Sequence, residues 1–156
     1  TRTPSSAASD VYKRQTLMRL MRKFRTASEL VPPPIIEING EDSCGIIYYG
    51  SSKPAVLEAK DILKTKDINV DLMQIRSFPF NLDVWEFIAN HDRIYVVEQN
   101  RDSQMRTLIM AEGGISAEIL RPLVHFTGDP IEASYIVNKI SEREVNYKSH
   151  KNIKER

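Results

Sequence analysis

Residues 93–103 of the chain read RIYVVEQNRDS, and this stretch decides the predicted fold. The β-favouring residues Tyr95, Val96 and Val97 stand in a row, which indicates a strand that is buried on both faces. Polar and charged residues follow at once, and a helical pattern begins at Gln104. A strand that passes through a polar loop into a helix is the repeating unit of α/β folds, in which the carboxyl ends of the strands contact ligands or partners.

The same alternation of strand and helix continues on both sides of this segment. Short apolar runs at residues 45–49, 70–75 and 123–126 predict strands, and a helical pattern follows each of them. Residues 35–38 predict one further short strand. Strands that alternate with helices pair in parallel through right-handed crossovers. We therefore predict an α/β fold over residues 35–141, with three layers and a mostly parallel sheet of four or five strands.

Residues that favour helix ends support this division. Gly113–Gly114 is expected to end the helix that begins at Gln104, because glycine tolerates the left-handed conformation of a C-cap. The segment Asp129–Glu132 has the pattern of a capping box with an early proline, which predicts the start of the last helix. Helical periodicity is lost after Ser141, so residues 142–156 are expected to form a charged tail.

The first 34 residues are expected to lie outside the α/β domain. Residues 1–15 lack periodicity and partly resemble a translated sequencing adapter, which suggests a disordered or non-native leader. Residues 16–34 predict the last helix of a preceding domain and a proline-rich linker from it, so we expect the chain to be a fragment. An apolar stripe on this helix is expected to dock on that domain, although a membrane surface or another partner is an alternative. The stripe consists of Leu17, Leu20, Met21 and Phe24.

Composition excludes several classes of protein. The net charge of 156 residues is only +1, so no overall field favours nucleic acid or a membrane surface. Cys44 is the single cysteine, so the chain has neither an internal disulfide nor the thiolates for an iron–sulfur or zinc site. This cysteine usage is typical of the reducing cytoplasm. No apolar run approaches the roughly 20 residues that a membrane span needs.

The polar loop after residues 93–97 is the main candidate site. Glu98, Gln99, Asn100, Arg101 and Asp102 provide two carboxylates, two amides and a guanidinium, all able to make directional hydrogen bonds. We interpret them as an ion-paired cluster that orients the loop in a structural or interface role, with acid–base catalysis by the two carboxylates as the alternative. In this interpretation the arginine side chains at positions 101 and 106 keep the carboxylates ionised. Asp102 or the following Ser103 is a candidate cap for the next helix.

The remaining candidates are weaker. Gly50, Ser51 and Ser52 lie between a predicted strand and a helix, where backbone N–H groups bind anions, but they match no phosphate-loop motif. The three histidines, at positions 91, 125 and 150, lack metal-ligand spacing and are interpreted as surface or packing residues. From the residues alone we therefore predict no catalytic residue and no metal site within this chain.

Three segments together resemble a known family. They are GIIYYGSS at residues 45–52, FI at 87–88, and HDRIYVVEQNRDSQMR at 91–106. The run KFRTA at residues 23–27, which precedes the α/β domain, is also similar to the same family. The chain resembles the carboxyl-terminal part of the α subunit of 2-oxoacid:ferredoxin oxidoreductases, most closely the 2-oxoglutarate type. Ser103 stands where relatives carry glycine, a departure that concerns only the local backbone angle.

This resemblance implies a fold like the transketolase carboxyl-terminal domain and a scaffold role in a larger complex. In that family thiamine diphosphate with Mg²⁺ carries the decarboxylation of a 2-oxoacid, coenzyme A takes the acyl group, and an iron–sulfur cluster passes electrons to ferredoxin. The resemblance implies that this fragment binds none of these cofactors itself, is inactive alone and has the β subunit as its partner.

Two alternatives remain open from the sequence. The chain is also compatible with the carboxyl-terminal domain of another thiamine enzyme, such as a 2-oxoacid dehydrogenase β subunit or a transketolase. A stand-alone binding module of flavodoxin-like shape is the second alternative, and nucleotide binding by the isolated chain distinguishes it.

Overall fold

The computed structural model describes residues 6–39 and 44–154 of the chain. In this part the strands are β1 (Ile35–Glu37), β2 (Cys44–Tyr49), β3 (Asp71–Ile75), β4 (Arg93–Glu98) and β5 (Leu120–Val124). The helices are α1 (Ser6–Leu30), α2 (Lys53–Lys64), α3 (Leu82–Ala89), α4 (Gln104–Gly113) and α5 (Ala133–Lys154). A single 3₁₀ turn, Gly50–Ser52, joins β2 to α2.

The strands form one five-stranded sheet in the order β1-β3-β2-β4-β5. The four strands from β2 to β5 are parallel to their neighbours, and β1 pairs antiparallel with β3 at one edge. Helices cover both faces, which confirms the predicted three-layer α/β fold. The crossover connections of parallel strands require this arrangement, since each helix must pack on a face of the sheet between two strands.

The alternation of β4 explains its apolar sequence. Tyr95 and Val97 point into a core formed with α2 and α5, whereas Ile94 and Val96 point into a second core formed with α3 and α4. Every residue of β4 is buried. A strand buried on both faces needs apolar side chains at successive positions, so its sequence reads as a continuous run.

The predicted start of the last helix is three residues early, because a capping box at Asp129 places the first helical residue at position 130. The capping-box pattern begins at Asp129, but α5 begins at Ala133. The Glu132 carboxylate accepts from the Ser134 hydroxyl at 3.1 Å and does not complete a capping box. The predicted end of α4 is confirmed, because Gly114 has a φ of +62° at its C-cap.

The predicted charged tail is wrong over most of its length. The α5 helix continues past Ser141 to Lys154, and Glu144 within it is buried. Ile136, Ile140 and Glu144 follow one another at four-residue spacing, so they share one side of the helix. An ion pair of the buried Glu144 with the sheet gives this extension a tertiary partner that no apolar pattern reveals.

The α1 helix extends over residues 6–30, so the expected disorder of the leader is wrong for residues 6–15. Residues 1–5 lie outside the described part, and the non-native origin of the leader stays a prediction. The apolar stripe on α1 is exposed to solvent over all four of its side chains. None of the helices in the described ranges is long and apolar enough to cross a membrane.

Candidate functional site

The predicted polar loop lies where the direction of the chain through the sheet changes. From β2 the chain passes through α2 to β3 on one side, and from β4 it passes through α4 to β5 on the other. The loops after the adjacent strands β2 and β4 therefore diverge at their carboxyl ends. In open α/β sheets such a switch point is the usual place for a ligand or partner.

Gln99 brings the two predicted sets of site residues together. Its side-chain amide nitrogen donates to the Oγ atoms of Ser51 at 2.9 Å and of Ser52 at 3.2 Å. Its side-chain oxygen accepts from the backbone N–H of Ile131 at 3.3 Å. One side chain thus joins the loops that follow β2, β4 and β5.

Glu98 is fully buried and is held by backbone N–H groups. Its carboxylate accepts from the N–H groups of Met105 at 2.8 Å and Arg106 at 2.9 Å, in the first turn of α4. The Asn100 side-chain amide donates a third bond at 2.8 Å. The positive end of the α4 dipole, which presents unpaired N–H groups, provides the compensation that a buried carboxylate requires.

The predicted arginine partners of Glu98 are therefore wrong. The Arg106 guanidinium donates to the carbonyl oxygens of Leu120 at 2.6 Å and Ala117 at 3.1 Å, away from the carboxylate. Arg101 pairs with the adjacent Asp102 at 2.7 Å. Sequence proximity suggested side-chain charges, but the fold places helix N–H groups around Glu98 instead.

The predicted cap of α4 is confirmed in its position at Ser103 but not in its bonding. Ser103 occupies the N-cap position without a side-chain capping bond. Asn100 caps in its place, since its side-chain oxygen accepts from the N–H groups of Asp102 at 3.1 Å and Gln104 at 3.3 Å. Ser103 has a φ of +50°, in the left-handed region. Glycine adopts this conformation without strain, so a glycine at position 103 would suit the backbone.

A tyrosine completes the interior of the loop. The Asn100 side-chain amide lies 3.3 Å from the Tyr49 hydroxyl. Burial and the negative charge of Glu98 together raise the pKa of Tyr49 above its usual value. A neutral phenol at this position stays compatible with the buried carboxylate beside it.

The tip of the loop has the opposite character. The side chains of Arg101 and Asp102 are 74% and 55% exposed, and they pair only with each other among the contacts described. A surface ion pair of this kind contributes about 0–1 kcal/mol to stability. Both groups are therefore available to a second surface at little cost.

The geometry favours an ordering role over proton transfer for Glu98. Three N–H donors satisfy its two oxygen atoms, and it is closed off from solvent.

The second predicted site, the candidate anion loop at residues 50–52, bonds to the polar loop. The hydroxyls of Ser51 and Ser52 accept hydrogen bonds from Gln99, and Gly50 has a φ of +58°. In the described ranges no group of three His, Cys, Asp or Glu residues is placed to hold a metal ion.

His91 forms a buried pair that the sequence did not indicate. Its Nδ1 lies 2.6 Å from the Phe87 carbonyl oxygen, and its Nε2 lies 3.1 Å from the Asp71 carboxylate. The other oxygen of Asp71 accepts from the Asn39 N–H at 2.6 Å. His91 is thus a packing residue with a charged partner, at the amino ends of the strands. His125 is partly exposed, with Nε2 3.1 Å from the Asp129 carbonyl oxygen.

A second buried cluster, which we call the Arg93–Glu144 cluster, joins β4 to α5. Arg93 Nε donates to both carboxylate oxygens of Glu144, at 3.0 and 2.8 Å, and the Tyr95 hydroxyl donates at 2.8 Å. Arg121 donates to the Tyr95 hydroxyl at 3.2 Å. Burial and the hydrogen bond to Glu144 raise the pKa of Tyr95. The sequence analysis did not predict this cluster, because Glu144 lies in the segment expected to be a charged tail.

Comparisons with known proteins agree with this structure. Subunit alpha of 2-oxoacid:ferredoxin oxidoreductase 2 from Aeropyrum pernix is 27% identical over 146 residues, which cover 87% of this chain. A solved 2-oxoglutarate:ferredoxin oxidoreductase from Magnetococcus marinus, with 2-oxoglutarate, coenzyme A and succinyl-CoA bound, matches 91% of the chain at 24% identity and a TM-score of 0.70. A split-gene transketolase, as an inactive β4 tetramer, matches 72% at 14% identity and a TM-score of 0.58. No family model matches the chain.

These comparisons confirm the resemblance to the α subunit and the transketolase-like fold. The chain spans 22% of the length of the Aeropyrum pernix protein and 24% of the Magnetococcus marinus chain. Each of these two proteins is therefore about four times as long as its own segment that aligns with this chain.

Proposed function

We propose that the chain is the carboxyl-terminal α/β module of a 2-oxoacid:ferredoxin oxidoreductase α subunit, with 2-oxoglutarate as the substrate of the whole enzyme. The observation that carries the proposal is the match to an α subunit over 87% of the chain. The module acts as a scaffold between subunits, and the intact complex converts the 2-oxoacid to acyl-CoA in the cytoplasm. Catalysis belongs to the assembled complex, and the module alone is inactive.

The loop Glu98–Asp102 is the proposed contact with a neighbouring subunit. Its buried part, Glu98 and Asn100, fixes the backbone through bonds to the first turn of α4. At its tip, the side chains of Arg101 and Asp102 are exposed, and the bonds described for them join only these two side chains. A loop whose shape is fixed before binding loses less conformational entropy when a partner docks on its tip.

We propose that the cofactors of the complex are bound outside this module. Among the described residues, no group of three or more His, Cys, Asp or Glu is placed to hold a metal ion. An iron–sulfur cluster requires several thiolates, whereas the single Cys44 is buried with its sulfur 4.0 Å from a Glu144 oxygen. We therefore assign the thiamine diphosphate with Mg²⁺ to other parts of the complex, and the cluster that reduces ferredoxin to the β subunit.

A reconstitution experiment tests the assignment to the complex. The isolated chain is expected to show no dye reduction that depends on a 2-oxoacid and coenzyme A, because it lacks the groups that carry the reaction. The intact α subunit with its β subunit is expected to show this activity with 2-oxoglutarate. Activity of the pure isolated chain, or inactivity of the reconstituted pair with every 2-oxoacid tried, contradicts the proposal.

Replacement of the loop tip tests the contact. In the intact α subunit, Arg101→Ala is expected to weaken association with the β subunit about tenfold, as loss of an interface charge does, while the Michaelis constant for the 2-oxoacid stays unchanged. Lys66→Ala is the matched control, since Lys66 is an exposed cation at the opposite ends of the strands. Normal assembly with lost turnover in Arg101→Ala would point to catalysis instead.

A further inference from the structure

The β5 strand lies at one end of the sheet and pairs with another strand on its inner side. In the order β1-β3-β2-β4-β5 its neighbour is β4, and the described strands end there. The backbone N–H and C=O groups along such an outer edge are able to pair with a strand of another chain, which leads to sheet extension or aggregation. The partners of these outward groups therefore decide what β5 is able to bind.

The hydrogen bonds to β4 identify which backbone groups of β5 point outward. At one end the Ile94 N–H donates to the Ile119 carbonyl oxygen at 2.8 Å, and at the other the His125 N–H donates to the Glu98 carbonyl oxygen at 2.9 Å. Successive residues of a strand direct these groups to opposite sides, so residues 119, 121, 123 and 125 point toward β4. The backbone groups of residues 120, 122 and 124 therefore point away from the sheet.

Two of the three outward carbonyl oxygens accept hydrogen bonds from side chains on opposite faces of the sheet. Arg106 of α4 donates through its Nε to the Leu120 oxygen at 2.6 Å. The Tyr135 hydroxyl of α5 donates to the Val124 oxygen at 2.8 Å. Because α4 and α5 pack in the two different cores, these side chains reach the same edge from both sides of the sheet.

The middle position of the edge lacks a donor and has its acceptor bonded. The Pro122 carbonyl oxygen accepts from the Arg143 guanidinium of α5 at 2.9 Å. Proline has no backbone N–H, so this position has no donor to offer an added strand. Within sheets proline is confined mainly to edge strands, which agrees with the place of β5. We call Pro122 and the side chains of residues 106, 135 and 143 the β5 edge cap.

We infer that the β5 edge cap closes the sheet to strand addition at this edge. Each capping donor lies within 3 Å of its carbonyl oxygen, in the place that the N–H of an added strand would take. Displacing it exchanges one hydrogen bond for another, so pairing gains little free energy. Neither a second copy of this chain nor a neighbouring subunit extends the sheet through β5. The inference concerns residues outside the switch-point loop and is independent of the proposed function.

Removal of the capping donors tests the inference. Tyr135→Phe with Arg143→Met frees two outward carbonyl oxygens while each new side chain fills a similar volume. Sedimentation equilibrium of the whole chain should show self-association at least about tenfold stronger than in the wild type, as one or two new hydrogen bonds allow. Addition of Pro122→Val, which restores an N–H, should strengthen it further. Tyr49→Phe with Arg76→Met is the matched control, since it removes the same groups near β2 and β3 and should change nothing.

Amide hydrogen exchange shows whether the association uses β5. At high concentration of the Tyr135→Phe, Arg143→Met protein, exchange at the outward amides of Leu120 and Val124 should slow, because an added strand accepts from them. Leu123 is the internal control, since its amide points toward β4. Tyr135→Phe alone keeps the ring and removes one hydroxyl, so slowed exchange at Val124 in this protein decides the question if the double variant does not fold.

Four results would overturn the inference. The first two are an uncapped protein that associates no more strongly than the wild type, and association that the control variant shares. The third is association without slower exchange at the outward amides, which would place the contact on another surface. The fourth is slower exchange at these amides in the wild type as its concentration rises, since the capped edge would then pair.

Discussion

The two ends of the parallel strands use buried charges in different ways. At the amino ends, the Asp71 carboxylate pairs with the His91 ring and Arg93 pairs with Glu144, so buried polar side chains satisfy one another. At the carboxyl ends, Glu98 is satisfied by helix N–H groups and an amide, and no buried cation is involved in its bonds. The first arrangement joins distant elements, and the second shapes a loop.

This difference indicates which end is available for a partner. The Arg93–Glu144 cluster joins β4 to α5, and its members Arg93, Tyr95 and Glu144 are buried. At the carboxyl ends the buried bonds stop at Asn100, and the next two residues project into solvent. The amino ends therefore hold the fold together, whereas the carboxyl ends present a shaped surface. Removal of single groups from each end should separate these two roles.

The largest effect is expected at the amino ends. Glu144→Ala should lower the free energy of unfolding by about 3–5 kcal/mol, because it leaves Arg93 buried without its carboxylate. Urea denaturation measures this change. Glu142→Ala, an exposed carboxylate on the same helix, should stay within about 0.5 kcal/mol of the wild type. A loss below about 1 kcal/mol for Glu144→Ala would mean that water compensates the arginine and that the cluster does not hold α5.

A smaller effect is expected from the buried carboxylate of the loop. Glu98→Gln keeps the shape of the side chain but places an NH₂ group against an N–H donor of α4, so it should cost about 1–3 kcal/mol. Denaturant unfolding gives the cost, and amide exchange at Met105 and Arg106 should accelerate. Asp102→Asn, an exposed acid of the same loop, is the control and should leave both measurements unchanged. Equal effects of the two substitutions would remove the distinction between the interior of the loop and its tip.

The smallest effect is expected from the residue that joins the loops. Gln99→Ala removes hydrogen bonds to Ser51, Ser52 and Ile131, each partly accessible to water, and should cost about 0.5–1.5 kcal/mol. Faster exchange of the Ile131 amide is the specific sign that the loops after β4 and β5 have separated. Gln104→Ala, at the start of α4, is the matched amide control. Unchanged exchange at Ile131 in Gln99→Ala would show that backbone packing alone positions these loops.

Predictions from the sequence were accurate where one segment carried the information. The apolar run of β4 and its polar extension were visible in RIYVVEQNRDS, because burial on both faces demands successive apolar side chains. The predicted contact role of Glu98–Asp102 remains untested. Its internal bonding was mispredicted, since the nearest cations along the chain are not the nearest donors in space. The end of α5 was placed too early for a similar reason. In the sequence Glu144 resembles an exposed residue of a charged tail, and only the fold brings its partner Arg93 next to it.

The sequence by itself determined the layers of this protein. Segments with strand periodicity alternate with segments of helical periodicity, and this alternation requires a sheet with helices on both faces. Each periodicity is a local property of a few neighbouring residues, so it can be recognised without the fold. Only the tertiary structure decided the strand order, the meeting of Gln99 with the loop after β2, and the pairing of Arg93 with a carboxylate 51 residues away. A buried polar group must have a hydrogen-bond partner, but the sequence contains many residues that could be that partner and does not distinguish among them. The choice among them follows from which elements the crossovers place side by side.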